Sequence, residues 1–196
     1  MTDNPEAGDG DKARDTILLV GYPNVGKSVI FNELTGAYVV VSNYPGTTVA
    51  VDRGKAEIGG RKVEIIDTPG MYSLLPITEE ERVAQELLLR KNPSLVINVL
   101  DAKNLDRMLH LTFQLIETGI PVIAVLNMID EAEEEGMKFD FGALEAELGI
   151  PVVPTAATKA AGLDVLRKRI TAALSKGAPS GHITRYSPEI EAAVAG

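Results

Sequence analysis

The chain has 196 residues, which suits one domain with a short additional segment, and 45% of its residues are apolar. It contains no cysteine, which excludes disulfides and thiolate metal sites, and its formal net charge of −9 disfavours broad binding to nucleic acid. No apolar run approaches the ~20 residues that a membrane-spanning helix needs.

Apolar strands that alternate with segments of helical period predict an α/β fold with a mostly parallel six-stranded sheet and helices on both faces. Gly59 and Gly60 indicate a hairpin between the second and third strands, and therefore one antiparallel edge strand. The predicted strands cover 16–20, 49–58, 62–66, 95–100, 122–126 and 152–155. The predicted helices cover 27–35, 80–91, 105–118, 142–148 and 163–175.

The two ends of the chain differ in composition from its centre. Residues 1–15 are polar and acidic and are expected to form a disordered leader, so the folded domain is predicted to span 16–176. Glycine, proline and serine after Lys176 indicate a linker, and Ser187 followed by Pro188 is typical of a helix start. Residues 177–196 are therefore interpreted as a linker and the start of a truncated helical domain.

The run Gly21-Tyr-Pro-Asn-Val-Gly-Lys-Ser28 follows the first predicted strand and has the spacing of a phosphate-binding P-loop. Its glycines allow backbone angles at which amides point inward, Lys27 can reach the β- and γ-phosphates, and Ser28 can hold Mg²⁺. The competing interpretation is an ordinary glycine turn, which the strand–loop–helix context disfavours. The residues predicted to hold the phosphates are Asn24, Val25, Gly26, Lys27, Ser28 and Val29.

Two further loops carry groups that would complete a phosphate and Mg²⁺ site. Thr48 lies in the loop Asn43-Tyr-Pro-Gly-Thr-Thr-Val49 and could close over Mg²⁺ with its hydroxyl, although a threonine there could also simply be solvated. Asp67 ends a predicted strand, where open α/β sheets place ligands, and could hold a Mg²⁺-bound water. The amide of Gly70 could approach the γ-phosphate, whereas an ordinary strand-ending turn is the competing interpretation.

The run Asn127-Met-Ile-Asp130 resembles the Asn-Lys-x-Asp motif with which GTPases recognise their base. A carboxylate at Asp130 can accept hydrogen bonds from guanine N1 and N2, for which adenine has no matching donors. Met128 replaces the usual lysine, so it could cover the face of the base but carries no charge. The loop with Thr155, Ala156 and Ala157 would be the last nucleotide loop, with the Ala157 amide contacting guanine O6.

The sequence between these motifs is informative as well. Tyr72-Ser-Leu74, the run from Ile97 to Arg107 and Leu111-Thr-Phe-Gln-Leu115, taken with the Asn-Met-Ile-Asp variant, resemble the N-terminal cytosolic G domain of the ferrous iron transport protein B (FeoB) family. The resemblance covers about residues 16 to 175. One departure is Asp67-Thr-Pro-Gly70, where many members carry Asp-Leu-Pro-Gly.

This resemblance implies a P-loop GTPase fold and a domain that binds GTP and GDP with Mg²⁺ and hydrolyses GTP slowly. It also implies a regulatory role in a transporter at the cytoplasmic face of the bacterial inner membrane, followed there by helical and transmembrane domains. The piece represented by this chain would be soluble. Whether it self-associates, what activates it and how fast it turns over are left open.

The resemblance also implies the residues that act in hydrolysis, namely Asn24, Lys27, Thr48 and Gly70. Met71 follows Gly70 where Ras-like proteins place a glutamine that orients water, and methionine cannot do this. In potassium-activated GTPases an asparagine at the position of Asn24 helps bind K⁺, which could substitute for an arginine finger. The competing role for Asn24 is stabilisation of the loop.

Three alternatives remain at this point. The first is a ribosome- or RNA-associated assembly GTPase, because the Asp-Thr-Pro-Gly form is more typical of that related group. The acidic net charge and the lack of a basic RNA module weigh against it. A switch that binds nucleotide without hydrolysis would share the same motifs. A P-loop ATPase is disfavoured by Asp130.

Overall fold

A computed structural model describes residues 15–36 and 39–176. Within them the chain forms a seven-stranded sheet flanked by helices, in the strand order β2-β3-β4-β1-β5-β6-β7. The strands are β1 (Asp15–Gly21), β2 (Val39–Asn43), β3 (Ala50–Ile58), β4 (Arg61–Asp67), β5 (Leu95–Asp101), β6 (Val122–Asn127) and β7 (Val152–Pro154). The helices are α1 (Lys27–Thr35), α2 (Glu79–Arg90), α3 (Leu105–Glu117), α4 (Ile129–Glu134), α5 (Phe141–Leu148) and α6 (Leu163–Lys176).

The predicted α/β class, the mostly parallel sheet and the antiparallel strand at one end are confirmed, whereas the count of six strands is wrong. The additional strand is β2, which pairs with β3 at the edge of the sheet. Most of β2 is exposed on both faces, so it shows neither the apolar run nor the alternation by which strands are recognised. The antiparallel strand is β3, which is therefore the second strand from the edge.

Helices cover both faces of the sheet. α1 and α6 contact each other on one face, and right-handed crossovers place α2 and α3 on the other. The central strands β1, β5 and β6 are buried almost throughout, because both of their faces lie under helices. The five predicted helices are found within one residue of their expected ends. The helix α4 was not predicted, because only one of its residues, Ala132, is buried and it has no apolar period.

The termini lie mostly outside the described residues. The expected leader 1–15 overlaps the structure only at Asp15, which already belongs to β1, so strand structure starts one residue earlier than predicted. The expected linker and helical start, 177–196, lie outside the described residues. Among the residues that are described, no helix is both long and apolar enough to cross a membrane.

Candidate functional site

The parallel strands β1, β4, β5, β6 and β7 all deliver their carboxyl ends to the same edge of the sheet. The loop between β1 and α1 lies at this edge, and two of its residues adopt left-handed backbone angles, Asn24 at φ 63° and Gly26 at φ 90°. The first backbone hydrogen bond of α1 runs from Ile30 N–H to the Gly26 carbonyl. The N–H groups of Lys27, Ser28 and Val29 therefore have no partner within the helix and are available to an anion.

Lys27 is buried at the start of α1, and its Nζ donates to the Tyr22 carbonyl at 3.3 Å. Burial lowers the pKa of Lys27, and the nearby charge of Asp67 acts in the opposite direction. A buried ammonium with one weak backbone acceptor is poorly solvated, so an oxyanion placed next to it would be stabilised more strongly than in water.

Asp67, at the end of β4, is 8% exposed and accepts a hydrogen bond from Ser28 Oγ at 2.6 Å. Burial raises the pKa of Asp67, while the Ser28 hydrogen bond and the charge of Lys27 oppose that rise. Its other oxygen, Oδ1, is buried and has no hydrogen-bond partner in the described structure. An unpaired buried carboxylate oxygen beside a hydroxyl is a donor set that suits Mg²⁺, so these residues fit the ion that the motifs imply.

The two threonines of the loop before β3 differ in their contacts. The Thr47 hydroxyl donates to the Tyr44 carbonyl at 3.0 Å and accepts from Val49 N–H at 3.2 Å, so it stabilises the loop itself. Thr48 is exposed, and no hydrogen bond joins it to Ser28 or Asp67 within the described part of the chain. The structure therefore leaves Thr48 free to approach the site but does not bring it there.

The segment after β4 is fixed to the first strand and to α2. Gly70 lies against the P-loop so closely that a Cβ would be 2.7 Å from Pro23 Cγ, and Met71, which is fully buried, donates its N–H to the Gly21 carbonyl at 3.1 Å. Glu81, the third residue of α2, accepts the N–H groups of Tyr72, Ile77 and Thr78 at 3.2, 2.8 and 3.2 Å. The hydrogen bond from Ile77 contributes most to lowering the pKa of Glu81, which burial opposes.

Asn127 connects the phosphate loop to the last loop. Its side chain is 3% exposed, and Nδ2 donates to the Val25 carbonyl at 2.9 Å. Its Oδ1 accepts from Thr155 Oγ1 at 2.9 Å and from Ala157 N–H at 3.1 Å. Asn127 therefore organises the site by linking the phosphate loop to the last loop, while the second N–H of Nδ2 has no hydrogen-bond partner among the described residues.

The same geometry affects the other residues predicted to meet the base. The Ala157 amide, expected to contact guanine O6, is already hydrogen-bonded to Asn127 Oδ1. Met128 has φ 59° and starts α4, which places Asp130 in its first turn. One oxygen of Asp130, Oδ2, lies 2.7 Å from Lys159 Nζ.

Contacts thus join seven of the predicted residues into two groups that meet at the phosphate loop. Ser28 bonds to Asp67, Lys27 lies near it, and Asn127 links Val25 to Thr155 and Ala157. No hydrogen bond connects Asn24 or Thr48 to either group in the described residues. Sequence reasoning missed Lys159 and Glu81. For Lys159 there was a signal, because the last loop carries a lysine whereas the base motif has Met128 in place of its usual lysine.

Comparison with known proteins agrees with this geometry. The family model described as ferrous iron transport protein B matches residues 15–170. The Fe(2+) transport protein A/Fe(2+) transporter FeoB fusion protein of Porphyromonas gingivalis is 48% identical over 151 residues, which cover 76% of this chain and 18% of that protein. The chain therefore spans about a fifth of the length of the curated relatives that it matches.

Two solved structures are similar over most of the described domain. A mutant of S. thermophilus NFeoB bound to mGDP superposes with a TM-score of 0.83 at 40% identity and covers 93% of this chain and 70% of that one. The cytosolic domain of the T. maritima FeoB iron transporter in its GMPPNP form gives a TM-score of 0.81 at 36% identity. The match covers 91% of this chain and 70% of that one. The chain belongs to the ferrous iron transport protein B family, of which it is the N-terminal G domain.

Proposed function

We propose that this domain binds GTP and GDP, hydrolyses GTP slowly to GDP and phosphate, and thereby regulates a ferrous iron transporter of which it is one part. The observation that carries the proposal is the bridge through Asn127, whose three hydrogen bonds connect the phosphate loop to the last loop. Relatives of the same fold have been solved with GDP and in a GMPPNP form, which supports a guanine nucleotide as the ligand.

The phosphates would be held by the free N–H groups at the start of α1 and by the Lys27 ammonium. Phosphoryl transfer depends mainly on positioning and on neutralising charge. The N–H groups of Asn24, Val25, Gly26, Lys27, Ser28 and Val29 supply this at the loop. The buried Lys27 supplies a full positive charge where it is weakly screened.

Mg²⁺, when bound, supplies further neutralisation of the β- and γ-phosphate oxygens. Ser28 and Thr48 would hold it directly and Asp67 through a water, and the unpaired Asp67 Oδ1 supports that role. Thr48 would have to move toward the phosphates, while the Gly70 amide would meet the γ-phosphate. Asp130 would accept hydrogen bonds from guanine, with Met128 against the ring, and the loop of Thr155, Ala156 and Ala157 would border the base.

Slow hydrolysis is expected because the residue after Gly70 is a methionine, where Ras-like proteins place a glutamine that orients water. The Met71 side chain is fully buried and apolar, so it cannot hold the attacking water in place. Asn24 is exposed in a left-handed conformation, and its side chain has no hydrogen-bond partner among the described residues, which argues against a purely loop-stabilising role. We propose that Asn24 helps hold K⁺ beside the phosphates, where the ion would supply positive charge during hydrolysis.

Regulation would depend on two segments, 37–48 and 67–82, that tighten around the γ-phosphate and relax after hydrolysis. In the longer protein this domain would lie at the cytoplasmic face of the bacterial inner membrane. The change would pass from it to the helical and transmembrane domains. Equal amide exchange of these segments with GDP and with a non-hydrolysable GTP analogue would contradict this part of the proposal.

The function is tested by phosphate release from GTP and from ATP in buffers that contain either K⁺ or Na⁺. We expect release from GTP only, faster in K⁺ than in Na⁺, and loss of that difference in Asn24→Ala. Binding without any release would instead favour a nucleotide switch that does not hydrolyse, and equal rates in the two salts would remove the role of K⁺.

A further inference from the structure

The base-recognition run Asn127-Met-Ile-Asp130 lacks a positive charge of its own. Met128 occupies the position of the usual lysine, and the first turn of α4 that follows it carries two carboxylates, Asp130 and Glu131. A like charge nearby disfavours the ionised form of a carboxylate, and a neighbouring cation offsets this effect. A cation close to Asp130 would therefore have to come from another part of the chain.

Lys159 supplies a positive charge at the right place. Its Nζ lies 2.7 Å from Asp130 Oδ2, and the Lys159 side chain is 61% exposed whereas that of Asp130 is 22% exposed. The neighbouring Glu131 is paired with a different lysine, Lys103. Each of the two carboxylates thus has its own cation, and Lys159 is committed to the one that would read the base.

The loop that carries Lys159 is well defined. Residues Ala157–Lys159 form a short 3₁₀ turn, and Ala160 has a left-handed φ of 53°. Ala156 and Ala161 exchange backbone hydrogen bonds at 3.2 Å in each direction. The turn begins at Ala157, whose N–H is bonded to Asn127. Lys159 is therefore positioned by the same hydrogen bonds that connect the phosphate loop to the last loop.

An ion pair to Asp130 is compatible with binding of a base. A carboxylate has about four acceptor sites on its two oxygens, so Lys159 on Oδ2 leaves sites for the N1 and N2 donors of guanine. The lysine fixes the rotation of the carboxylate before the base arrives, which reduces what must be ordered on binding.

We propose that Lys159 is a positioning residue for guanine recognition: it replaces, from the last loop, the cation that the Asn-Met-Ile-Asp motif lacks, and it orients Asp130 for the base. This inference rests on the proposed function. It also predicts a division of effects, because an exposed ion pair contributes little to folding but an oriented acceptor contributes to affinity.

The test compares Lys159→Ala with Lys159→Arg and with the control Lys168→Ala. The control removes the same charge and an exposed ion pair, which joins Lys168 Nζ to Asp164 Oδ2 at 3.9 Å. Both residues of this pair lie on α6, after the last loop. Calorimetry with GDP should show about three- to tenfold weaker binding for Lys159→Ala, the scale of one charge-assisted contact at a partly exposed site. Lys159→Arg and Lys168→Ala should bind like the parent, and all three should unfold at nearly the parent temperature.

A double-mutant comparison separates positioning from general electrostatic attraction. In the background of Asp130→Ala, removing Lys159 should change GDP affinity no further, because the group that it orients is gone. An equal loss in both backgrounds, or equal effects of Lys159→Ala and Lys168→Ala, would overturn the inference while leaving guanine binding intact. Failure of the parent protein to bind GDP would instead overturn the proposed function, and the inference with it.

Discussion

Asn127→Ala is the substitution that most directly tests the bridge between the two halves of the site. The asparagine amide makes three hydrogen bonds, to the Val25 carbonyl, to Thr155 Oγ1 and to the Ala157 N–H. Its side chain is buried, so water cannot easily replace these partners. Alanine removes all three bonds and leaves the Val25 carbonyl and the Ala157 N–H without partners.

The magnitude follows from these contacts. A net contribution of about 0.5–1.5 kcal/mol for each of the three hydrogen bonds gives a loss of about 1.5–4.5 kcal/mol in the free energy of unfolding. The phosphate loop and the last loop would then no longer be held in one arrangement before nucleotide arrives. If about 2 kcal/mol of that loss must be recovered on binding, the affinity for GDP falls about 30-fold.

The matched control is Asn98→Ala on the neighbouring strand β5. Asn98 is also fully buried and bonds to the Val20 carbonyl at 3.4 Å and to Thr112 Oγ1 at 2.7 Å. We expect urea denaturation to show that both variants are destabilised, and calorimetry to show that only Asn127→Ala loses GDP affinity. Equal GDP affinities for the two variants would refute the reasoning, because the defect would then follow stability rather than the bridge.

Gly26→Ala should abolish nucleotide binding, since the new Cβ would lie 2.3 Å from the side-chain nitrogen of Asn127. The control is Gly119→Ala, because Gly119 also has a left-handed φ but no atom close to the new Cβ. Thermal unfolding should show that this control loses only about 1–2 kcal/mol of stability. Burial raises the pKa of Asp67, so its ionisation reduces stability as pH rises from its ordinary pKa through the raised one. Without nucleotide at pH 7, the Asp67→Asn variant should therefore unfold at a temperature no lower than that of the parent. It should nevertheless lose the Mg²⁺-dependent rise in unfolding temperature that GDP gives the parent. Backbone hydrogen bonds lower the pKa of Glu81, so its contribution is present above the ordinary glutamate pKa and lost as pH falls through the lowered value. Glu81→Gln should lose about 1–2 kcal/mol and speed amide exchange just before α2, and unchanged exchange there would contradict the assigned contacts.

The elements that the sequence predicted well are those whose burial is regular. β1, β5 and β6 are continuous apolar runs because helices cover both faces of the sheet, and α3 has an apolar stripe because only one of its faces is buried. β2 escaped prediction because an exposed edge strand needs no apolar pattern, and its stability comes from backbone pairing with β3.

The candidate site was predictable where a motif implies a fixed backbone. Gly26, Lys27, Ser28 and Asp67 lie where the P-loop and strand-end patterns placed them. The contacts between distant segments could not be predicted, since a sequence pattern does not show that the Asn127 amide is used at both ends within the protein. Nor does it show that Lys159, 29 positions after Asp130, reaches the carboxylate of that residue.

Guanine binding through Asp130 is tested most directly by calorimetric titration with Mg²⁺ present. The purified chain is titrated with GDP and with ADP, and the Asp130→Asn variant is titrated with GDP. We expect saturable heat with GDP, none with ADP, and strongly weakened GDP binding by the variant, because we assign the selection of guanine to Asp130. Equal binding of GDP and ADP, or a variant that binds GDP as the parent does, would contradict this assignment.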